Sequence, residues 1–174
     1  MISRISKGYW VWGQFDPGSA KQIASLYKKI NKKLNGPNFD VHLTISGPIA
    51  YEEELHTPIF KNLSSSLPKF KIQLDGLGYK DEFFQSLFLN VVENQDLKKL
   101  KMLVDRNFNL NEAGYFPHIS LFYGKVDEGT KINIVNESTP PKQVLLDKIS
   151  VVKVDEEIKS WKVLKSYQLL ENTP

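Results

Sequence analysis

Two strand-forming segments, Lys69 to Gly76 and Phe83 to Val92, are separated by only six residues, and that spacing restricts the fold more than any other feature of the chain. A parallel pairing needs a crossover of a dozen residues or more, so neighbours this close pair antiparallel. Lys69–Gly76 alternates polar and apolar side chains, with Phe70, Ile72 and Leu74 sharing one face, as a half-buried strand does. Tyr9–Phe15 is aromatic and β-branched, and Val41–Ile49, His118–Gly124, Gln143–Val154 and Trp161–Leu169 also read as strands. Asp16 is placed to cap a helix that starts at Pro17, carries Ala20, Ile23, Ala24, Tyr27, Ile30 and Leu34, and stops at Asn35-Gly36-Pro37. Asn94 caps a second, with Leu97, Leu100, Leu103, Val104 and Phe108 at helical spacing. Glu52–Leu67 is helical but interrupted at Pro58, and Val126–Lys142, with Pro140-Pro141, reads as a surface loop. About seven strands in contiguous pairs with two or three helices make an α+β fold rather than a doubly wound parallel sheet. No Pro/Gly/Ser-rich linker divides it, so residues 1–174 are expected to form a single domain.

Hydrophobic residues at 41% and charged residues at 25% describe a soluble globular chain able to bury a core. The net charge of +3 is too mild to announce DNA as a partner. The run Lys28, Lys29, Lys32 and Lys33 reads as the solvated face of an amphipathic helix. With no cysteine, disulfide scaffolds, thiolate metal sites and cysteine nucleophiles are excluded. Met1–Gly18 has no apolar stretch of signal-peptide length and no segment reaches eighteen consecutive apolar residues, so a cytoplasmic protein without a membrane partner is expected. Histidine chemistry, if present, falls to His42, His56 or His118.

Two segments repeat one pattern: Val41-His42-Leu43-Thr44-Ile45 and Pro117-His118-Ile119-Ser120-Leu121. Residues i and i+2 of a strand share a face. His42 and Thr44 therefore stand together, as do His118 and Ser120, while Leu43, Ile45, Ile119 and Leu121 enter a core. Ser and Thr make up 19 of 174 residues, so a hydroxyl two places after a given histidine has roughly a one-in-nine chance. One match means little; two of three, each inside an apolar strand, means more. His56 lacks the hydroxyl, precedes Thr57-Pro58, and reads as an exposed loop or helix residue. The bland alternative is a pair of packed, hydrogen-bonded and inert strand histidines.

His42-Leu43-Thr44 and His118-Ile119-Ser120 resemble the paired HxT/S motifs of the 2H phosphoesterase superfamily, and the chain is most similar to its plant- and fungal-type cyclic phosphodiesterase family. The resemblance is carried chiefly by Phe116 to Gly124, with support from Tyr9-Trp10-Val11-Trp12, Phe84-Gln85-Ser86-Leu87 and Lys159-Ser160-Trp161, and spans roughly Tyr9 to Leu170. It departs at Glu128–Pro140, where the family's helix is not recognisable. The resemblance implies a pseudo-symmetric two-lobed fold, with antiparallel sheets flanking a central cleft and helices outside. Each lobe contributes one motif. It also implies hydrolysis of ribose cyclic phosphates, either 2′,3′-cyclic nucleotides or ADP-ribose 1″,2″-cyclic phosphate, with P–O3′ cleavage leaving a 2′-phosphate. RNA metabolism is the implied setting.

Two imidazoles suit that reaction, because a pKa near 6.5 lets one accept and the other donate a proton near neutrality. Thr44 and Ser120 would donate hydrogen bonds to the non-bridging oxygens. The residues alone leave open which histidine is base; family analogy makes His118 activate water and His42 protonate the leaving oxygen. No third ligand stands at metal spacing, so no metal or cofactor is expected. Around the motifs, Trp12 (with Tyr9 and Trp10) is a candidate for base stacking. Tyr123 is a candidate for base or phosphate contact, although strand parity points it away from Ser120 unless Gly124 bends the chain. Phe84 and Ser86 lie on a strand that lines the cleft in the family. A monomer acting on a small nucleotide or RNA-end cyclic phosphate is expected. The alternatives are a 2H enzyme of 2′,5′-oligoadenylates or cyclic dinucleotides, and a non-catalytic RNA-end-binding module.

Overall fold

The computed structural model describes residues 7–111 and 114–172. Seven strands are present: β1 (Gly8–Phe15), β2 (Leu43–Ile49), β3 (Phe70–Tyr79), β4 (Leu87–Val92), β5 (His118–Phe122), β6 (Gln143–Val154) and β7 (Lys162–Gln168). They form one sheet in the order β1-β2-β5-β4-β3-β6-β7, and β1 also pairs with β6, so the order turns back on itself. Every pairing between named strands is antiparallel. The α+β expectation holds. The two halves that flank the cleft meet through β3–β6 and through a single register pair, Leu43↔Ile119, between β2 and β5.

Helix α1 (Pro17–Leu34) starts as expected: Asp16 accepts from the Ser19 and Gly18 amides, Pro17 opens the first turn, and Asn35 closes the helix at φ 52°. Its apolar face, Ile23, Leu26, Tyr27 and Ile30, is buried. Helix α2 (Glu53–Ser66) is continuous, which corrects the expected interruption at Pro58. That proline removes one amide donor, but Phe60 and Leu63 beyond it are seated in the core, and their burial outweighs the lost bond. Helix α3 (Gln95–Asn107) is capped by Asn94, which accepts from the Leu97 amide at 2.9 Å.

A fourth helix, α4 (Glu128–Glu137), occupies the stretch read as a loop. Asp127 caps it, accepting from the Thr130 amide at 2.9 Å. The helical period was hidden because one of its two buried positions is Lys131, whose ammonium donates to the Lys80 carbonyl at 2.8 Å. A third correction concerns Phe83–Val92: Phe83–Gln85 is a 3₁₀ turn, and the strand begins at Leu87.

The main core lies between the helices and one face of the sheet, with Leu43, Ile45, Ile119 and Leu121 all fully buried in it, as strand parity required. A smaller cluster, Trp12, Val152 and Val154 with Trp10, Trp161 and Val163 packed on it, lies apart from that core. Among the described residues no helix is long and apolar enough to cross a membrane.

Candidate active site

Both motifs line one cleft of about 450 Å³. Antiparallel counting from Leu43↔Ile119 sets His42 across from Ser120 and Thr44 across from His118. Both imidazoles and both hydroxyls thus line the same cleft. His42 and Ser120 are buried, whereas Thr44 and His118 are half-buried. A larger, shallower groove of about 1010 Å³ between α1 and residues 137–145 contains none of the motif residues.

The two rings are anchored alike. His42 Nδ1 lies 2.7 Å from the Asp40 carbonyl and His118 Nδ1 lies 2.9 Å from the Phe116 carbonyl, in each case two residues upstream. A carbonyl only accepts, so each Nδ1 carries the proton. In the neutral ring Nε2 is then the basic nitrogen, and in the cation it becomes an acid. One backbone device readies both histidines for proton transfer at Nε2.

Their surroundings differ. Trp12, opposite Thr44 in the register, lies flat on the His42 ring, with centroids 3.5 Å apart and 4° between planes. Burial there pushes the His42 pKa down to about 3, against a smaller opposing effect of the Asp40 carbonyl. His118 is stacked on Phe116 at 5.2 Å. Its pKa is also lowered, first by burial and then by the Lys80 ammonium, while the Phe116 carbonyl and Glu82 oppose the shift. Both imidazoles are therefore neutral near pH 7.

The hydroxyl Oγ of Ser120 donates to the Phe84 carbonyl at 3.3 Å. Tyr123 lies on the cleft wall, not on the far face that strict alternation gave, because β5 ends at Phe122 and Gly124 turns at φ +149°. Burial raises the Tyr123 pKa, with Ser120 countering it, so the group stays a phenol; it stacks on Phe39 at 4.1 Å. Phe84 lines the cleft, in T-shaped contact with Tyr123 at 5.2 Å. Ser86 does not line it: its side chain is fully buried just before β4, which places it behind the site. His56 sits on α2 against Tyr51 and Phe108, outside the cleft. Among the described residues no group of three or more His, Cys, Asp or Glu side chains is placed to hold a metal ion.

Sequence reasoning missed Gln85, Tyr115 and Phe116 as cleft residues, and named Trp10 and Trp161 only in passing. Trp161 packs edge-on against Trp12 at 6.0 Å and Tyr123 at 5.7 Å. Trp10 approaches β2 closely: a Cβ on Gly47 would lie 2.5 Å from its ring. Tyr115 ties the motifs together, donating to the Thr44 carbonyl at 2.8 Å. Behind it the sheet departs from regular alternation. A bulge sets Val11 opposite Ser46 and the next residue, Trp12, opposite Thr44, so Thr44 keeps the cleft while Ser46 turns to α3. There Lys101 Nζ donates to Ser46 Oγ at 3.0 Å, pairs with Asp105 at 3.0 Å and sits 4.9 Å from the Tyr115 ring centroid; Ser46 also donates to Asp105.

Residues 14–169 match the family described as cyclic phosphodiesterase-like protein. No curated protein sequence matches the chain. Escherichia coli LigT complexed with 3′-AMP superposes with a TM-score of 0.62 at 16% identity, covering 96% of this chain and 99% of that one. TT0787 of Thermus thermophilus gives 0.62 at 16% identity, covering 92% and 97%. A further crystal structure, of a phosphoesterase, gives 0.60 at 15% identity, covering 94% and 99%. At such identities the likeness is one of fold.

Proposed function

The chain belongs to the cyclic phosphodiesterase-like family of the 2H phosphoesterase superfamily, and from that premise we propose that it hydrolyses ribose cyclic phosphates, with His42 and His118 as the acid–base pair. The observation that carries this reading is the shared anchoring of both Nδ1 atoms, which leaves both Nε2 atoms to act on one ligand in one cleft. The crystal complexes of E. coli LigT with 3′-AMP, ATP and NADP+ support a nucleotide-sized ligand.

Water reaches the half-buried His118 more readily than the buried His42, which favours His118 as the base. Its Nε2 takes a proton as the water oxygen bonds to phosphorus. The P–O3′ bond breaks, and His42 Nε2–H delivers a proton to the departing O3′. The products are a 2′-phosphate and a 3′-hydroxyl, and exchange with solvent resets the two histidines. Thr44 and Ser120 donate to the non-bridging oxygens as charge builds. His42 must be cationic for its step. The negative phosphate, desolvated against it, raises its pKa from that low value.

Opposite protonation demands on two depressed histidines have a kinetic signature. kcat/KM reports the free enzyme and kcat the complex. In the free enzyme the reactive form, with His42 charged and His118 neutral, dwindles once pH rises above the His118 pKa, which lies below 6.5. The expected kcat/KM profile is therefore highest on the acid side and falls through neutrality. The kcat profile extends to higher pH because bound phosphate holds the His42 proton. Coincident profiles, or a kcat/KM maximum above pH 7, would contradict the assignment. Function itself is tested with purified protein on 2′,3′-cyclic nucleotides, ADP-ribose 1″,2″-cyclic phosphate, 2′,5′-oligoadenylate and cyclic dinucleotides, with a chelator present. Turnover of the cyclic phosphates to 2′-phosphates is expected. Chelator-sensitive activity, or tight binding of RNA ends without turnover, would overturn the reading.

A further inference from the structure

His118, Phe116 and Lys80 form a column leading out of the cleft. Phe116 stacks on the His118 ring at 5.2 Å and 25°, and the Lys80 ammonium sits over the Phe116 ring, 4.0 Å from its centroid. Phe116 is 41% exposed, unusual for a phenylalanine beside a catalytic histidine. Lys80 is held in place from several directions. Its Nζ donates to Gln85 Oε1 at 2.7 Å, its amide donates to the Gln85 carbonyl at 3.0 Å, and its carbonyl accepts from buried Lys131 at 2.8 Å. Phe116 and Gln85 both line the cleft, so this cation is presented at the cleft edge by two of its wall residues. Asp81 and Glu82 lie on the same turn but are exposed, where solvent screens their charge.

Ribose geometry decides what such a cation meets. A cyclic phosphate between His42 and His118 occupies one edge of the sugar, and the 5′-oxygen leaves from the other side. The cleft also carries an aromatic wall, with Phe84 and Trp161 stacked at 6.1 Å and 24°, a surface suited to a base. We propose that Lys80 and Phe116 form a subsite for a phosphate carried on the 5′-oxygen of the same ribose whose cyclic phosphate the histidines open. This rests on the cyclic phosphodiesterase reading and narrows its substrate. A bare nucleoside 2′,3′-cyclic phosphate leaves Lys80 unused. The terminal nucleotide of an RNA and the distal ribose of ADP-ribose 1″,2″-cyclic phosphate both carry the required 5′-phosphate.

The test compares kcat/KM for adenosine 2′,3′-cyclic phosphate with that for its 5′-phosphorylated form. The wild type is expected to prefer the phosphorylated substrate by about tenfold, the effect of one charge-assisted hydrogen bond at a half-exposed site. Lys80→Met brings the ratio close to one, Lys80→Arg retains most of it, and added salt erodes it in the wild type. A wild-type ratio at or below one, or an undiminished ratio in Lys80→Met with an unchanged melting temperature, overturns the subsite. Two further substrates, the dinucleotide ApA ending in a 2′,3′-cyclic phosphate and ADP-ribose 1″,2″-cyclic phosphate, identify the source. A Lys80-dependent gain on either supports the subsite, and on neither refutes it. Should the wild type turn over none of these, the parent reading fails, and the subsite is then judged by binding. Tryptophan fluorescence should still show adenosine 2′,5′-bisphosphate binding about tenfold more tightly than adenosine 2′-phosphate, through Lys80. Equal affinities overturn it.

Discussion

Replacing either motif histidine with alanine is expected to lower kcat on a 2′,3′-cyclic nucleotide by a factor on the order of 10² to 10⁴, the usual contribution of a positioned acid or base. The two variants should differ in their pH profiles. His118→Ala removes the proposed base, which must be neutral, so the acid limb of kcat disappears and hydroxide takes over at high pH. His42→Ala removes the proposed proton donor, so the residual rate depends on leaving-group pKa. A substrate with a good leaving group should recover much of the rate in His42→Ala and little in His118→Ala. Survival of near wild-type activity in either variant would end the two-histidine mechanism. The double variant should be scarcely slower than the worse single one, because the residues act on one step. His42→Ala also opens a space beside Trp12, so its melting temperature must be measured with its rate.

Lys101→Met is expected to destabilise the fold by about 3 kcal/mol, a loss of roughly 6–12 °C in Tm for a chain of this size. Lys101 pairs with Asp105 at 3.0 Å, and their side chains are only 9% and 17% exposed. Removing the cation leaves a carboxylate in a site where water compensates it poorly, and the Ser46 hydroxyl that donates to it is too little alone. The residual exposure of Asp105 places the cost at the lower end of the range for broken buried pairs. Lys101→Met combined with Asp105→Leu should recover most of the loss, since removing both charges removes the unpaired one. A single variant within about 1 kcal/mol of wild type, or a double variant as unstable as the single, would refute this account. Because Lys101 also faces the Tyr115 ring, kcat at a temperature where the protein is fully folded should fall as well.

The legible part of the site was the part that depends on spacing within one strand. His42 with Thr44 and His118 with Ser120 needed only a two-residue period, and both pairs came to one cleft. Features that depend on which strands become neighbours were not legible. Trp12 was readable only as a stacking candidate, and its place beneath His42 follows from β1 lying beside β2. The bulge opposite Val11 and Trp12 broke the alternation that would have set Ser46 beside Thr44. Tyr115 and Phe116 precede β5, where no period applies; the signal was two consecutive aromatics immediately before the second motif. Caps behaved similarly. Asp16 and Asn94 were readable because apolar residues at helical spacing followed them, whereas Asp127 was followed by Lys131 at a buried position and its helix went unseen. Nδ1 anchoring is a backbone property, visible only once the carbonyls of Asp40 and Phe116 have directions.

The pairing of β1 with β6 has a consequence for the order in which the molecule matures. Gly8–Phe15 and Leu146–Val154 lie at distant points of the chain, and closing so long a loop has an entropic cost recovered only when the full ladder zips. Trp12, the plate on which His42 rests, is in the middle of that ladder, opposite Ser150. The helices and the β3–β4 hairpin can form from local contacts alone, but the geometry of the proposed acid waits for the most distant pairing in the sheet. Catalytic competence is then the last property acquired during refolding: helical signal returns first, and turnover follows no earlier than the burial of Trp12.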